Sequence, residues 1–282
     1  MRPIPTVFHL GPLQIHTYGL GLALTFWFAF RYFERRLKAR DYPIDWVPSL
    51  FFWVIVSAIV GARAMHVLSN LGYYSANPLQ IFAIWHGGLS SFGGLILAVP
   101  VGLMILKRRG PAMSVASAID IVAPVLMAAW ALGRLLGPQL MVAGGGHETN
   151  QWFGMYYAGQ IGKRVPVPII QSMEDATVLV VLLLIERHLR RITNSPVRPI
   201  YPAGTIAGVA MILWGIERSL DEHFLLGQDG ALGSALVQIA GVCLVVGGGV
   251  LLMNTRRRWL AWREAGSPAP ITELSEETAT DA

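Results

Sequence analysis

The chain has 282 residues and a formal net charge of +5; 54% of its residues are hydrophobic and only 14% are charged. Soluble domains carry about a quarter charged residues, so this composition excludes an ordinary soluble protein and indicates an integral membrane protein. The positive charge lies beside apolar stretches, which makes it a marker of membrane topology and argues against nucleic-acid binding.

Apolar windows of about 20 residues, the length that crosses a bilayer, predict seven transmembrane helices. The predicted fold class is therefore an all-α integral membrane protein. We expect one membrane domain over residues 1–263, with an arm on the outer side at about 138–167. Residues 264–282 are acidic and poor in apolar residues, which predicts a disordered cytoplasmic tail. In chain order the spans cover about 16–33, 46–68, 88–106, 113–136, 168–187, 203–221 and 233–254.

Lysine and arginine follow the first, third, fifth and seventh spans, in "ERRLKARD", "KRRG", "RHLRRITNSPVR" and "RRRWLAWR". The opposite flanks hold only Arg2, Lys163 and Arg164. The positive-inside rule therefore places the N-terminus outside and the C-terminus in the cytoplasm, which agrees with an odd number of spans. The first span is too long for a cleavable signal peptide, and its positive flank follows it, so we expect it to act as the insertion signal.

Ionisable side chains inside a membrane are costly and mark functional sites by default. In this sequence they gather at the predicted outer ends of several spans. Asp120 alone clearly belongs to an inner end, where a structural role at a helix start is expected. The expected site therefore faces outward. Its charged residues are Arg63, Arg134, Glu174, Asp175, Glu217, Arg218, Asp221 and Glu222.

Three arginines from three spans predict a phosphate-like anionic ligand, because guanidinium groups bind such oxygens through paired hydrogen bonds. Arg218 and Glu222 are four residues apart, so they share a helix face and can pair. One alternative stays open, most of all for Arg63: the arginines form structural ion pairs between helices. The histidines show no zinc-type spacing, so we predict no metal and no cofactor.

The stretch "WHGGLSSFGG" at 85–94 places glycines, serines and His86 between apolar segments. Irregular backbone at membrane depth is tolerated where it is buried or lines a wet cavity. We therefore expect a broken or re-entrant entry to the third span, lining the outward site.

Short motifs lie along nearly the whole chain, among them "GPLQIHTYGL", "GAR", "NPLQIFAIWHGGLSSFGG", "DIVAP", "GRL", "QSMED", "WGIERSLDE" and "VQIAG". From about Leu10 to Leu252 the chain resembles the prolipoprotein diacylglyceryl transferases of bacterial inner membranes. The resemblance implies a multi-pass enzyme with seven spans. It also implies an activity, the transfer of the diacylglyceryl group of phosphatidylglycerol to the lipobox cysteine thiol of a prolipoprotein, which forms a thioether and releases glycerol phosphate.

The resemblance also implies roles for single residues. Arg134 matches the arginine of the family's Gly-Arg motif, and Glu174 closes its Gln-x-x-Glu motif. Arg218 and Glu222 match an essential arginine and the glutamate one turn later. The expected headgroup-binding residues are Arg63, Arg134, Glu174, Gly93 and Gly94, and the expected catalytic residues are Tyr18, His86, Arg218 and Glu222.

The chain departs from the family pattern at three places. Phe92 stands where the family motif has a histidine, the Asn-x-x-Asn-x-Glu continuation after Arg134 is missing, and Met173 replaces a tyrosine. A thiol must lose its proton to attack, so the reaction needs a base. The open candidates for that base are His86, His16 and Glu222.

Two other functions stay open from the sequence: a phosphatidylglycerol-binding paralogue with lost or altered chemistry, and a transporter of anions or small molecules. A transporter would place polar groups through the whole membrane depth, often with internal repeats, whereas here they gather at one side. The arm is expected to contact the protein substrate, with Lys163 and Arg164 available for phosphate or lipid.

Overall fold

The structure, a computed structural model, describes residues 7–10, 13–83, 91–111, 113–137, 140, 144–157, 160–192, 202–222 and 230–264. Structural statements below concern these residues. His86 and the predicted tail after Glu264 lie outside them, and for His16, Tyr18 and Phe92 only the backbone is described.

Helices dominate the described chain, and each predicted span contains a long one. Two shorter pieces, α3 and a 3-10 helix at Pro78–Phe82, follow the second span. The helices are α1 Thr17–Lys38, α2 Val47–Ser69, α3 Leu71–Ala76, α4 Ser91–Arg109, α5 Val115–Leu136, α6 Val167–Ile192, α7 Thr205–Asp221 and α8 Gly230–Glu264.

Within the described residues, four helical segments are long and apolar enough to cross a membrane. They are Val47–Ser69, Val115–Leu136, Val167–Arg191 and Val237–Ala261. The last of them lies inside α8, whose 35 residues exceed the roughly 20 that a bilayer requires. The chain is therefore a helical protein with the segments of a membrane protein.

A short β-hairpin precedes α1 and departs from the all-α prediction. Strands β1 (Val7–Leu10) and β2 (Leu13–His16) pair antiparallel, with Val7 opposite His16. In the sequence, a Gly-Pro pair separates two runs of four residues that favour strands. This pattern is typical of a hairpin, but a search for apolar windows of 20 residues does not detect it.

The described chain forms two compact units, residues 1–36 with 114–282 and residues 37–113. In the first unit, α5, α6 and α7 pack around a core in which Leu182 and Ile206 are fully buried. Trp130 on α5 and Trp214 on α7 stack with their ring centroids 4.3 Å apart. This packing brings the end of α5 and the end of α7 beside the start of α6.

In the second unit, α2 and α4 pack closely at glycines. A Cβ added to Gly93 would lie 2.2 Å from the carbonyl oxygen of Gly61, so the contact requires glycine. A Cβ on Gly94 would lie 3.2 Å from the carbonyl oxygen of Ala58. Ser91–Gly94 form the first turn of α4. The expected irregular backbone is therefore wrong for these four residues, because helix packing explains the two glycines.

Candidate active site

Arg134, in the last turn of α5, is the centre of a buried polar cluster. Its Nε lies 2.6 Å from Oδ2 of Asp175, and its side chain is 10% exposed. Its Nη1 donates a hydrogen bond to Oε1 of Gln171. Both partners belong to the first turns of α6, so the arginine joins the end of α5 to the start of α6.

Gln171 extends the cluster to α7. Its Nε2 donates to Oδ2 of Asp221 over 2.6 Å, and Nη1 of Arg218 lies 3.4 Å from the same Oδ2. A continuous polar chain therefore runs from Arg134 through Gln171 and Asp221 to Arg218. We call the set the Arg134 cluster; it comprises Arg134, Gln171, Glu174, Asp175, Glu217, Arg218 and Asp221.

Helical spacing explains why these residues meet. Gln171, Glu174 and Asp175 are three and four positions apart, so they share one face of α6. Arg218 and Asp221 are likewise three apart at the end of α7. Because α6 runs antiparallel to α5 and α7, its first turns lie beside their last turns. The polar faces therefore meet at one end of the three helices.

Several carboxylate oxygens of the cluster have no hydrogen-bond partner among the described residues. Glu217 is only 7% exposed, and neither of its oxygens is bonded. Oε2 of Glu174 and Oδ1 of Asp175 are buried and unpartnered as well. Carboxylate oxygens of Glu174, Glu217 and Asp221 lie within 4.8 Å of one another. A buried charge without a partner costs several kcal/mol, so this end of the bundle is poised to bind a positive or hydrogen-bond-donating group.

Four carboxylates therefore face two guanidinium groups within the described part of this cluster. Glu174, Glu217 and Asp221 are close enough together to hold a metal ion. They are equally able to accept protons, and Nη2 of Arg134 and Nη2 of Arg218 hold no hydrogen bond among the described residues. The cluster thus combines free cationic donors with free carboxylate acceptors.

The structure brings together six of the charged residues that the sequence predicted for the site: Arg134, Glu174, Asp175, Glu217, Arg218 and Asp221. Glu222 is buried, at 6% exposure. In the described chain, however, Arg218 forms its salt bridge with Asp221 and not with Glu222. The hydrogen bond from Gln171 fixes Asp221 in the position that Arg218 can reach.

Glu217, Asp175 and Asp221 were expected among the charged residues of the site, but neither the expected catalytic set nor the expected headgroup-binding set contains them. Asp175 lies four positions after Gln171, and Asp221 lies three positions after Arg218. Helical spacing from the predicted residues is the signal that identifies these two. For Glu217, the signal is its place beside Arg218 in a span that is otherwise apolar.

Arg63 belongs to the second unit. Its Nε donates to the carbonyl oxygen of Ile81 over 2.8 Å, and its Nη2 donates to that of Gln80 over 2.5 Å. Its guanidinium carbon lies 5.2 Å from the ring centroid of Tyr74. Arg63 therefore holds the 3-10 helix Pro78–Phe82 against α2. Its headgroup-binding role stays a prediction, as do those of Gly93 and Gly94.

Asp120 lies at the opposite end of α5 and has a structural role. Its Oδ2 accepts a hydrogen bond from the N–H of Gly204 over 2.8 Å, and its Oδ1 accepts one from the N–H of Ala207 over 2.7 Å. Gly204 has φ of +98°, a left-handed conformation that favours glycine. Asp120 therefore caps the start of α7, since it satisfies N–H groups that the helix itself cannot.

The arm between α5 and α6 is held together by Arg164. Its backbone pairs with Met155, and its Nη2 lies 3.1 Å from Oε1 of Glu148. Trp152 is 91% exposed, whereas Tyr157 is buried. Burial raises the pKa of Tyr157 to about 12, so its phenol stays protonated at neutral pH and cannot serve as a base.

Comparison with known proteins identifies relatives along nearly the whole chain. The family model described as prolipoprotein diacylglyceryl transferase matches residues 5–254. A phosphatidylglycerol–prolipoprotein diacylglyceryl transferase of Bacillus licheniformis is 36% identical over 261 residues, covering 86% of this chain and 87% of the relative. Proteins with the same name from a Polaromonas species and from Pseudomonas aeruginosa are each 28% identical, covering 94% of this chain and 96% of the relative.

Proposed function

The chain belongs to the prolipoprotein diacylglyceryl transferase family, and we propose that it transfers the diacylglyceryl group of phosphatidylglycerol to the lipobox cysteine of a prolipoprotein. In this reaction the cysteine sulfur bonds to the glyceryl carbon that carries the phosphate. The bond between that carbon and the phosphate oxygen breaks, and glycerol phosphate leaves. The proton of the thiol passes to a base.

The observation that carries the proposal is the pair of arginines in the Arg134 cluster. Arg134 and Arg218 each keep a free Nη2 group among the described residues, and Gln171 and Asp221 join their side chains. A phosphate bound between these donors would have its developing negative charge stabilised as the glyceryl carbon–oxygen bond breaks. Asp175 and Asp221 orient the two guanidinium groups in advance, so little reorganisation is needed when lipid binds.

We also propose that the seven long helices cross the bacterial inner membrane, with the N-terminus outside. Support comes from the basic residues in the C-terminal parts of α1, α4, α6 and α8. In this orientation the Arg134 cluster lies at the outer side, where a secreted prolipoprotein arrives. The arm between α5 and α6 lies at the same side and is available to that substrate.

Complementation of a strain depleted of its own transferase tests the proposal. We expect the chain to restore growth and to convert a reporter prolipoprotein to its diacylglyceryl form. Arg134→Ala, present in the membrane at the same level, should not do so. If the chain reaches the membrane but produces no modified lipoprotein, the transferase proposal is wrong and a lipid-binding paralogue is favoured.

A further inference from the structure

We propose that Glu174 and Glu217 together take the proton from the cysteine thiol, with Glu174 touching the thiol and Glu217 acting through Glu174. This inference rests on the proposed transferase function. It assigns a role to Glu217, a residue that neither the expected catalytic set nor the expected headgroup-binding set contains.

The carboxylate groups of the Arg134 cluster differ in the hydrogen bonds that their oxygens accept. Oδ2 of Asp175 is bonded to Arg134, and Oδ2 of Asp221 accepts hydrogen bonds from both Gln171 and Arg218. These two aspartates therefore serve to orient the arginines. Among the described residues, neither oxygen of Glu217 has a partner at 7% exposure, and Oε2 of Glu174 and Oδ1 of Asp175 have none either. Of these three residues, Asp175 holds an arginine through its other oxygen.

Position separates the two glutamates. Glu174 is intermediate in burial, so it is the member of the pair that an entering substrate can reach, whereas Glu217 is buried. Their oxygens lie within 4.8 Å of each other, and a small rotation of either side chain allows a proton on one to be shared with the other. Glu217 thus supplies an acceptor that holds the proton once Glu174 has received it.

The thiol must come close to this pair if the arginines hold the phosphate. The sulfur attacks the carbon bonded to the phosphate oxygen, so it approaches within a few bond lengths of Arg134 and Arg218. The groups facing the pair are Arg134 from α5, Gln171 and Asp175 from α6, and Arg218 and Asp221 from α7. Among these described groups both arginines are cationic, and Asp175 and Asp221 each hold an arginine, so Glu174 and Glu217 are the carboxyl groups of the cluster that we assign to accept the proton.

The step balances without another reactant. The S–H bond breaks, and its proton goes to Oε2 of Glu174. A sulfur electron pair forms the carbon–sulfur bond while the carbon–oxygen bond breaks, and glycerol phosphate leaves with the electron pair of the carbon–oxygen bond. The proton is then shared with Glu217 until it returns to water. General-base catalysis of this kind contributes about 10²–10⁴-fold to a rate.

The test uses the full chain, purified and placed in phosphatidylglycerol vesicles, with a lipobox peptide as thiol substrate. The rate of thioether formation is measured by mass spectrometry from pH 6.5 to 9.5 for the unmodified chain, Glu217→Gln, Glu174→Gln and Glu34→Gln. Glu34 is the matched control: it is also 7% exposed, but it pairs with Arg31 over 2.9 Å on α1.

We expect Glu217→Gln and Glu174→Gln to lower the rate by roughly 100-fold near pH 7, with little change in the KM for lipid. The loss should shrink as the pH approaches the thiol pKa of about 8.5, because the thiolate then forms without a base. Glu34→Gln should follow the unmodified chain at every pH. A purely structural role of Glu217 would lower the rate by the same factor throughout.

The inference is overturned if Glu217→Gln transfers as fast as the unmodified chain, or if its deficit does not shrink with rising pH. Both results leave the transferase proposal standing, since the unmodified chain remains active. If the unmodified chain forms no thioether at any pH, the transferase proposal fails, and the role of Glu217 fails with it.

Discussion

At the end of the bundle where Asp120 lies, every carboxylate oxygen of Asp120 and Glu186 has a partner. Asp120 receives the N–H groups of Gly204 and Ala207, while Glu186 lies 2.8 Å from Arg36 and 2.7 Å from Arg190. At the opposite end of the same helices, both oxygens of Glu217 and one each of Glu174 and Asp175 have no partner within the described part of the Arg134 cluster.

The same kinds of side chain are thus used in two ways. The satisfied end costs little to bury, because each charge is met by a hydrogen bond, and it joins α1, α5, α6 and α7 in one arrangement. Burying the unpaired groups of the Arg134 cluster, at the unsatisfied end, costs free energy, and paired groups at the same positions would make the protein more stable. These unpaired groups are therefore expected to serve a substrate, as strained or unpaired groups at functional sites do.

The largest expected effect comes from the arginines of the unsatisfied end. Arg134→Ala and Arg218→Ala should each lower diacylglyceryl transfer by at least 100-fold, because each removes a cationic donor aimed at the leaving phosphate. Transfer to a lipobox peptide, normalised to folded protein, measures the effect. Arg190→Ala removes a partly exposed arginine from the satisfied end and should leave the normalised rate unchanged. If substitutions at both ends lower the normalised rate equally, the two ends do not differ in function.

Asp120→Ala breaks the satisfied end and should act on stability alone. The substitution leaves the N–H groups of Gly204 and Ala207 without an acceptor, at a cost of about 2–4 kcal/mol. Thermal unfolding in detergent micelles should show a lower midpoint, while the transfer rate per folded molecule stays the same. If the variant keeps a normal unfolding midpoint but loses activity, Asp120 takes part in catalysis, and the distinction between a structural end and a reactive end of the bundle is wrong.

Gly93→Ala tests whether this glycine, which was predicted to bind the lipid headgroup, serves helix packing instead. Its added Cβ would lie 2.2 Å from the carbonyl oxygen of Gly61. We therefore expect overpacking to lower the free energy of unfolding by about 1–3 kcal/mol. Gly72→Ala is the control in the same unit, since nothing lies within 4 Å of its added Cβ. If Gly93→Ala unfolds at the normal temperature and raises the KM for lipid, its role is binding and not packing.

Much of the helical layout could be predicted from the sequence, because a bilayer demands long apolar windows. The ends of the helices could not. The first helix was predicted to end near residue 33 and continues to Lys38, and α8 continues to Glu264, because charged residues extend a helix into water without any apolar signal. The hairpin at Val7–His16 was missed for the complementary reason, since its strands are far shorter than a span.

The end of the bundle where the site lies was also predictable, since charges at one side of several spans must meet there. The pairings were not. Whether Arg218 pairs three or four residues ahead depends on Gln171, which reaches Asp221 from another helix. The unpartnered state of Glu217 depends on how three helices pack, and no spacing within one helix reveals it. The position of Phe92 adds a sequence argument: phenylalanine cannot accept a proton, so the base must come from elsewhere in the chain.

The most direct test of the comparison measures transfer rate and thermal stability together in two matched variants, Glu217→Gln and Glu186→Gln. The account predicts opposite outcomes. Glu217→Gln replaces a buried carboxyl group that has no partner among the described residues, so it should unfold at an equal or higher temperature yet transfer roughly 100-fold more slowly. Glu186→Gln weakens two ion pairs, so it should unfold at a lower temperature and transfer normally per folded molecule. If both variants lose stability and activity together, the distinction between a structural end and a reactive end is wrong.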